Sequence, residues 1–374
     1  MRVILIPSPR VHRLAALVGL AALVAACGGT NGDADTTPSA PTSTTSADST
    51  EGGGTPTTIA VTDAATDDAP APIATTTIWA DITSAALCGL PVAAIVPTGA
   101  DPHTFEAPIA ARADIAAAGF VVANGLDLEE GLIDLLDTVE AEGVTVVHMA
   151  DHVDVIEPKD DGEHVDDGAH SDDAHDGDGH DEHADEGSHD EHDHAGGDPH
   201  IWLDPMRVAA GIDAIVDAAV DAGHVRDVIT PCAESYRVEL VALDAEISEL
   251  VATVPPTMRN LVTNHDALGY FADRYGFTVL GTVIPSTSTM ASTNPADLAD
   301  LATLIAESGV TTIFTDAESS DIDAAALADR LDGVQVTPLL TGSLTSGVED
   351  GRDYLTLMRT NAERIVVGSG GSIG

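Results

Sequence analysis

The sequence predicts an α/β protein with two lobes, each built on a parallel sheet, joined by one long helix. Short β-rich runs alternate with Ala-rich helical patterns, a rhythm typical of βαβ units with helices on both faces of a sheet. The rhythm stops near residue 157 and resumes at residue 260. Shortly before it resumes, apolar residues recur at helical spacing over a long run that ends before Pro255-Pro256. The alternative, one large sheet, has to accommodate that helix inside its connections.

The predicted elements follow this rhythm in both lobes. In the first lobe we expect strands at residues 76–79, 94–96, 120–123 and 144–147, and helices at 107–118 and 129–142. Two further helices are expected at residues 205–222 and 232–251. In the second lobe we expect strands at residues 260–263, 278–282, 311–314 and 335–339, and helices at 267–275, 295–308, 323–331 and 353–366.

The N-terminus predicts export and a lipid anchor. Three arginines precede an apolar run at residues 14–26, which has the length of a signal-peptide core and is short for a membrane span. The run ends in small residues followed by Cys27, which resembles the lipobox of bacterial lipoproteins. That resemblance implies cleavage before Cys27 and lipid attached to it. The alternative is an ordinary signal peptide with an incidental cysteine.

Composition divides the chain into segments. Residues 28–72 are dominated by Thr, Ser, Gly, Ala, Pro and Asp and lack apolar periodicity, so they cannot form a core. The same holds for a His- and Asp-rich insertion at 157–198. The predicted order is a signal peptide at 1–26, a lipid-anchored flexible tether at 27–72, a first lobe at 73–230, a linking helix at 231–256 and a second lobe at 257–374.

The net charge of the chain restricts the classes of molecule that it can bind. The formal net charge is −49, which repels phosphate backbones and argues against nucleic-acid binding. Hydrophobic residues make up 44% of the chain but aromatic residues only 3%, so the core must consist mainly of Ala, Val, Leu and Ile. No run after Cys27 is long and apolar enough for a transmembrane helix.

Three histidines stand at junctions between predicted elements. His103 and His200 each end an Asp-Pro-His trio, and His265 follows the first strand of the second lobe. Ligands of α/β sheets bind at loops beyond the carboxyl ends of strands, so these side chains can converge. Neutral imidazoles suit Zn²⁺, Cu²⁺ and Ni²⁺ better than Ca²⁺ or Mg²⁺, which prefer oxygen. The alternatives are solvated loop histidines and, for His200, a loop in which Asp204 caps the helix that begins at Pro205.

The motifs around these histidines carry a family resemblance. DPHTFE at 101–106, DPHIWLDP at 198–205 and NHDALGYF at 264–271 occur in this order. They resemble the zinc/manganese substrate-binding proteins of bacterial ATP-binding-cassette importers, and the resemblance runs from about residue 75 to the end of the chain. It implies two lobes with a rigid linking helix, metal bound in the cleft between them, and a membrane permease and an ATPase as partners. We expect the protein itself to be a monomer.

The same resemblance implies the ligands. It implies that His103, His200 and His265 are the metal ligands. A histidine as the third of these ligands resembles the zinc type, whereas manganese receptors usually present a carboxylate there. Many relatives add a carboxylate from the last lobe, where this sequence has Gly342. Asp316, Glu318 or a water molecule then remain as the fourth ligand. The alternative for each carboxylate is helix capping.

Two further features stay open. The insertion contains eight histidines, which predict auxiliary metal capture or sensing of metal abundance, unless it is only an acidic, solvated loop. They are His164, His170, His175, His180, His183, His189, His192 and His194. Cys88 and Cys232 form a disulfide in an exported protein or remain two buried free thiols.

The predicted function is an extracytoplasmic, membrane-anchored receptor that binds Zn²⁺ as transported cargo. The alternatives are a manganese or iron receptor of the same architecture, a metal-dependent adhesin and a zinc buffer. A zinc hydrolase needs an open ligand position and a general base. The sequence contains no HExxH helix, nucleophile elbow or phosphate-binding loop, so we expect no enzyme.

Overall fold

The computed structural model describes residues 69–157, 196–346 and 350–374, which contain two separate sheets of four strands each. The strands are β1 Ile73–Ala74, β2 Ala93–Ala94, β3 Val121–Ala123, β4 Val146–His148, β5 Asn260–Thr263, β6 Thr278–Thr282, β7 Thr312–Asp316 and β8 Gln335–Leu339. Their order is β2–β1–β3–β4 in the first sheet and β6–β5–β7–β8 in the second, with every pairing parallel. The predicted fold of two parallel-sheet lobes is therefore confirmed.

Helices connect the strands and cover the sheets. They are α1 Thr77–Ala86, α2 Ala111–Ala117, α3 Ile133–Ala141, α4 Pro205–Asp221, α5 Arg226–Val251, α6 Gly269–Tyr275, α7 Pro295–Ser308, α8 Ile322–Ala328 and α9 Tyr354–Gly368. Proline at the first position helps to start α4 and α7, after Asp204 and Asn294, whose side chains accept the N–H of the residue two positions on. The sequence predicts β5, β6, α7 and β8 with the bounds that the structure has.

The predicted strand at residues 76–79 is wrong. The strand lies earlier, at Ile73–Ala74, and α1 begins at Thr77. The hydroxyl of Thr76 accepts the N–H of Trp79 at 3.2 Å and so caps this helix. The β-branched run favours a strand by propensity, but the capping hydrogen bond and the burial of Ile78 and Trp79 in the core outweigh that preference.

Helix α5 joins the lobes. Its buried residues recur every three or four positions, and it packs against α1, α4 and α9. It begins at Arg226 rather than at residue 232, and it continues through Pro231 although proline removes one backbone hydrogen bond. Burial of Ile229 holds its first turns, and a disulfide joins Cys232 to Cys88, the second residue after α1.

The two lobes share one apolar core. A single cluster of buried side chains includes Trp79 and Trp202 from the first lobe and Phe314 and Tyr354 from the second. Polar contacts cross between the lobes at the same place. The indole N–H of Trp202 donates to the carbonyl oxygen of Thr341 at 2.9 Å, and the Tyr354 hydroxyl donates to the carbonyl oxygen of Trp202 at 2.7 Å. The cleft between the lobes is therefore closed at its base.

Several predicted segments lie outside the described residues. These are the signal peptide at 1–26, Cys27, nearly all of the tether at 27–72 and most of the insertion at 157–198. Within the described parts of the chain, no helix combines the length and the apolar character needed to cross a membrane.

Substitutions on the buried and exposed faces of α5 should change the free energy of unfolding by different amounts. Leu243 is fully buried, whereas Val241 on the same helix is 51% exposed. We expect Leu243→Ala to lower the free energy of unfolding by about 2–5 kcal/mol, because it leaves a cavity in the core that both lobes share. Val241→Ala should change it by less than about 0.5 kcal/mol. Urea unfolding followed by circular dichroism measures both, and equal effects would contradict the assigned buried face.

Candidate metal centre

His103 lies in the loop that follows β2. Its backbone N–H donates to the Oδ1 atom of Asp101 at 3.0 Å, a local turn that the intervening Pro102 stiffens. The side chain is only 3% exposed although it stands on a loop. Its Nδ1 atom is buried without a hydrogen-bond partner. The Nε2 atom is therefore the nitrogen that faces the other histidines.

His200 lies in the loop before α4, and Asp198 orients it twice. The Oδ1 atom of Asp198 accepts the backbone N–H of His200 at 2.9 Å and lies 2.8 Å from its ring Nδ1. The ring is 2% exposed. When Asp198 is ionised it can only accept, so the proton of the neutral imidazole then lies on Nδ1, which leaves Nε2 with a free lone pair.

His265 follows β5 and pairs with Asp316 at the end of β7. The Nδ1 atom of His265 lies 2.8 Å from the Oδ2 atom of Asp316. Strands β5 and β7 are neighbours in the second sheet, so their carboxyl ends bring these residues together. Asp316 also accepts hydrogen bonds from Thr341 at 2.7 Å and from the amide of Asn264 at 3.1 Å. Its oxygens are thus occupied in holding the loops around His265.

The three Nε2 atoms converge on one point. The Nε2 atom of His200 lies 3.4 Å from that of His103 and 3.1 Å from that of His265, and one ring nitrogen from each histidine lies within 4.8 Å of the others. Tetrahedral zinc with bonds of about 2.0–2.1 Å separates its ligand atoms by roughly 3.3 Å. The spacing therefore fits three ligands around a single ion.

Burial keeps two of these rings neutral. It lowers the pKa of His103 to about 2, with the nearby His200 and His265 acting in the same direction. Burial likewise lowers the pKa of His200. Burial also acts to lower the pKa of His265, but the charge and hydrogen bond of Asp316 outweigh it and raise that pKa. Asp316 thus favours the protonated form of His265, and a proton on that ring competes with a metal ion.

The carboxylates differ in what they can still accept. Burial acts to raise the pKa of Asp316, but His265 outweighs this and lowers it, so Asp316 is the charged partner of that ring. Burial raises the pKa of Asp198 to about 7, and a cation held by His200 would lower it again. Glu318 lines the same small cavity, of about 10 Å³, as the three histidines. Its Oε2 atom is buried without a hydrogen-bond partner, and burial raises its pKa to about 7.

The structure brings together the three predicted histidines and places both predicted carboxylates beside them. Asp316 contacts the Nδ1 atom of His265, the ring nitrogen that faces away from the other histidines. Sequence reasoning missed Asp198 as the residue that orients the His200 ring. The repeated Asp-Pro-His trio was a signal for it, although in the first trio Asp101 holds only the backbone of His103. Cys27 and the eight insertion histidines lie outside the described residues.

Comparison with known proteins places the chain in a family. A family model described as "ZnuA: Zinc-uptake complex component A periplasmic" matches residues 73–368. The zinc-binding protein TroA of Treponema pallidum is 30% identical over 177 residues, which cover 45% of this chain and 56% of TroA. The zinc-binding lipoprotein AdcA of Streptococcus pneumoniae serotype 4 is 24% identical over 276 residues, 72% of this chain and 50% of AdcA. The chain thus spans about half the length of these curated relatives.

Manganese-binding proteins are also among the relatives. The manganese-binding lipoprotein MntA of Bacillus subtilis is 24% identical over 257 residues, 68% of this chain and 73% of MntA. Among solved structures, the periplasmic zinc binding protein TroA from Treponema pallidum has a TM-score of 0.65 at 21% identity and covers 80% of this chain and 99% of its own. That likeness shows the same fold.

The family match extends over both sheets and all three histidine loops. The family is an uptake component and not a class of enzyme, in agreement with the sequence prediction. The chain therefore belongs to the family of periplasmic zinc-uptake complex component A proteins.

Proposed function

We propose that this protein is an extracytoplasmic receptor that binds one Zn²⁺ ion between its lobes and delivers it to an ATP-binding-cassette importer. The observation that carries the proposal is the convergence of the three Nε2 atoms of His103, His200 and His265 in a buried cavity. Two of the rings have their Nδ1 atoms beside carboxylates, the arrangement that fixes metal-binding histidines in other proteins. Membership of an uptake-component family supports the delivery step.

The donor set favours zinc over manganese. Three imidazole nitrogens suit Zn²⁺, whereas Mn²⁺ prefers sites that are richer in oxygen ligands. The relatives bear both zinc-binding and manganese-binding names, so the preference for zinc is argued from the ligands and not from the family.

We propose Glu318 as the fourth ligand, with its side chain moving toward the metal, since among the described residues the group whose ligand atoms lie within 4.8 Å of one another comprises the three histidines. Gly342, at the position where resembling receptors carry a carboxylate, has no side chain to offer, but its backbone N–H contacts the Glu318 carboxyl group. The Oε2 atom of Glu318 is buried without a partner in the cavity of the three histidines. A buried carboxylate oxygen without a hydrogen bond is costly, and a metal ion would compensate that cost. Asp316 is a poorer candidate because His265, Thr341 and Asn264 already use its oxygens.

Metal binding in this arrangement joins the lobes. His103 and His200 belong to the first lobe, whereas His265 and Glu318 belong to the second. Zn²⁺ therefore selects a form in which the loops of both lobes meet. Because α5 and the shared core already hold the lobes together, we expect a small movement of loops rather than a wide opening of the cleft.

We expect each ligating histidine to be necessary for tight zinc binding. In a chain that lacks residues 164–194, which removes the insertion histidines, one tight zinc per protein should remain. His103→Ala, His200→Ala or His265→Ala should each weaken it by at least ~100-fold, more than the roughly 10- to 100-fold cost of losing an outer partner. The matched control is His152→Ala, which removes an exposed histidine of the first lobe and should leave the affinity unchanged.

Chelator-competition titration measures these affinities, with manganese as the competing cargo. Tight zinc binding that survives His265→Ala would contradict a site shared by the two lobes. Preference for Mn²⁺ over Zn²⁺ in the unaltered protein would favour the manganese receptor instead.

The fourth position has its own test. Glu318→Gln should weaken zinc binding by at least the roughly 10-fold that loss of an outer partner costs, because it removes a charged oxygen donor. It should also change the d–d absorption spectrum of the Co²⁺-substituted protein, which reports coordination. Glu106→Gln, which removes the exposed carboxylate of the last residue of the first motif, is the control. An unchanged affinity and cobalt spectrum in Glu318→Gln would assign the fourth position to water.

The proposed lipid anchor rests on the sequence around Cys27, and the proposed delivery to an importer rests on the family. We expect mass spectrometry of the membrane fraction to find lipidated Cys27 as the first residue of the mature protein. In cells that lack this receptor, growth on limiting zinc should return with the unaltered chain and not with His265→Ala. An intact N-terminus at Met1 in the mature protein would exclude the anchor, and full rescue by His265→Ala would exclude zinc delivery through this site.

A further inference from the structure

One of the three histidine rings has no partner for its outer nitrogen. The Nδ1 atoms of His200 and His265 each lie 2.8 Å from a carboxylate oxygen. The Nδ1 atom of His103 is equally buried but makes no hydrogen bond. The Oε1 atom of Glu130 lies 3.9 Å from it, too far for a hydrogen bond and close enough for a small rotation to form one.

Glu130 lies on the outer side of the His103 ring. It lines the neighbouring groove together with His103 and Ser288, and it is absent from the residues that line the cavity of the three histidines. Its carboxylate therefore approaches Nδ1 and not the point at which the Nε2 atoms converge. This position suits a hydrogen-bond acceptor for the ring rather than a ligand of the metal.

A loop of the second lobe holds Glu130 in place. The hydroxyl of Ser288, between β6 and α7, donates to Oε1 of Glu130 at 2.5 Å. The next residue, Thr289, donates to Oδ2 of Asp101 at 2.7 Å, and the other oxygen of Asp101 accepts the backbone N–H of His103. Two consecutive residues of the second lobe thus contact both carboxylates that flank His103.

Metal binding determines which nitrogen of the His103 ring carries the proton. Binding through Nε2 fixes the ring proton on Nδ1, and such N–H groups in metal sites almost always donate to a carboxylate, a carbonyl or water. A carboxylate oxygen accepts more than one hydrogen bond, so Oε1 of Glu130 can accept from His103 while it keeps Ser288. The Glu130 side chain is 34% exposed, which leaves it room to rotate by the required ångström.

We propose that Glu130 is the positioning residue of His103: in the metal-loaded protein its carboxylate accepts the Nδ1–H of His103 and, through Ser288, connects the loaded site to the second lobe. The inference rests on the proposed function, since it takes His103 as a ligand. It gives the third histidine the same kind of carboxylate partner that Asp198 and Asp316 give the other two. It also provides a route by which occupancy of the site reaches an exposed loop of the opposite lobe.

The test uses the full mature chain loaded with zinc. Glu130→Ala should weaken the tight site by roughly 10- to 100-fold, as for other outer partners of metal-binding histidines, and Glu130→Gln should restore part of the loss because its amide oxygen still accepts. The control is Glu157→Ala, which removes an exposed carboxylate lining the same groove and should leave the affinity unchanged. In ¹⁵N–¹H spectra of the imidazoles, the Nδ1–H signal of His103 should be protected from exchange in the unaltered protein and lost in Glu130→Ala, while those of His200 and His265 persist.

Hydrogen exchange tests separately whether Glu130 connects the loaded site to the second lobe. Zinc should slow amide hydrogen exchange at residues 286–290 in the unaltered protein but not in Glu130→Ala or Ser288→Ala. Unchanged affinity with a protected His103 Nδ1–H in Glu130→Ala would overturn the positioning role, and zinc-dependent slowing that persists in that variant would overturn the connection to the second lobe. Failure of the proposed function is distinguishable, because His103→Ala would then keep tight zinc binding.

Discussion

The site depends on the two hydrogen bonds that join Asp198 to His200 and Asp316 to His265. To bind one metal ion, three imidazoles whose nitrogens lie within 4.8 Å of one another must each present a nitrogen that carries no proton. Burial favours the neutral rings, but it does not choose which nitrogen keeps the proton. The carboxylates make that choice, because each accepts from Nδ1 and leaves Nε2 bare.

The parallel sheets explain why the loops can meet. Ligand loops at the carboxyl ends of β2 and β5 face each other when both lobes turn the same edge toward the cleft. The base of the cleft is then fixed by Trp202, whose indole and carbonyl groups bond to the second lobe at Thr341 and Tyr354. Trp202 lies two residues after His200, so the segment that carries a histidine also carries the contact between the lobes. The segment from His200 to Trp202 therefore contributes both to the contact between the lobes and to the geometry of the site.

The sequence predicts most of the fold because local signals agree with burial. Residues 295–308 carry a helix with Asn294 as its cap, proline at its first position and glycine after its last, and the structure follows. At residues 76–79 the local signals conflict, since β-branched residues favour a strand while Thr76 can cap a helix. The three histidines were predictable because each belongs to a motif. Asp198 and Glu130 were not recognised, because hydrogen bonds to a ring depend on side-chain directions that only the folded loops determine.

The fourth position shows how packing limits the choice of ligand. A Cβ atom placed on Gly342 would lie 2.8 Å from the Cδ atom of Pro102, closer than side-chain atoms normally approach. Pro102 directly precedes His103, so the loop of the second lobe presses against the loop that carries a histidine of the first. That contact closes the cavity and, at the same time, leaves no room for a carboxylate at residue 342. A charged oxygen donor must then come from another loop of the second lobe. Glu318, whose carboxyl group contacts the backbone N–H of Gly342, lies in that direction.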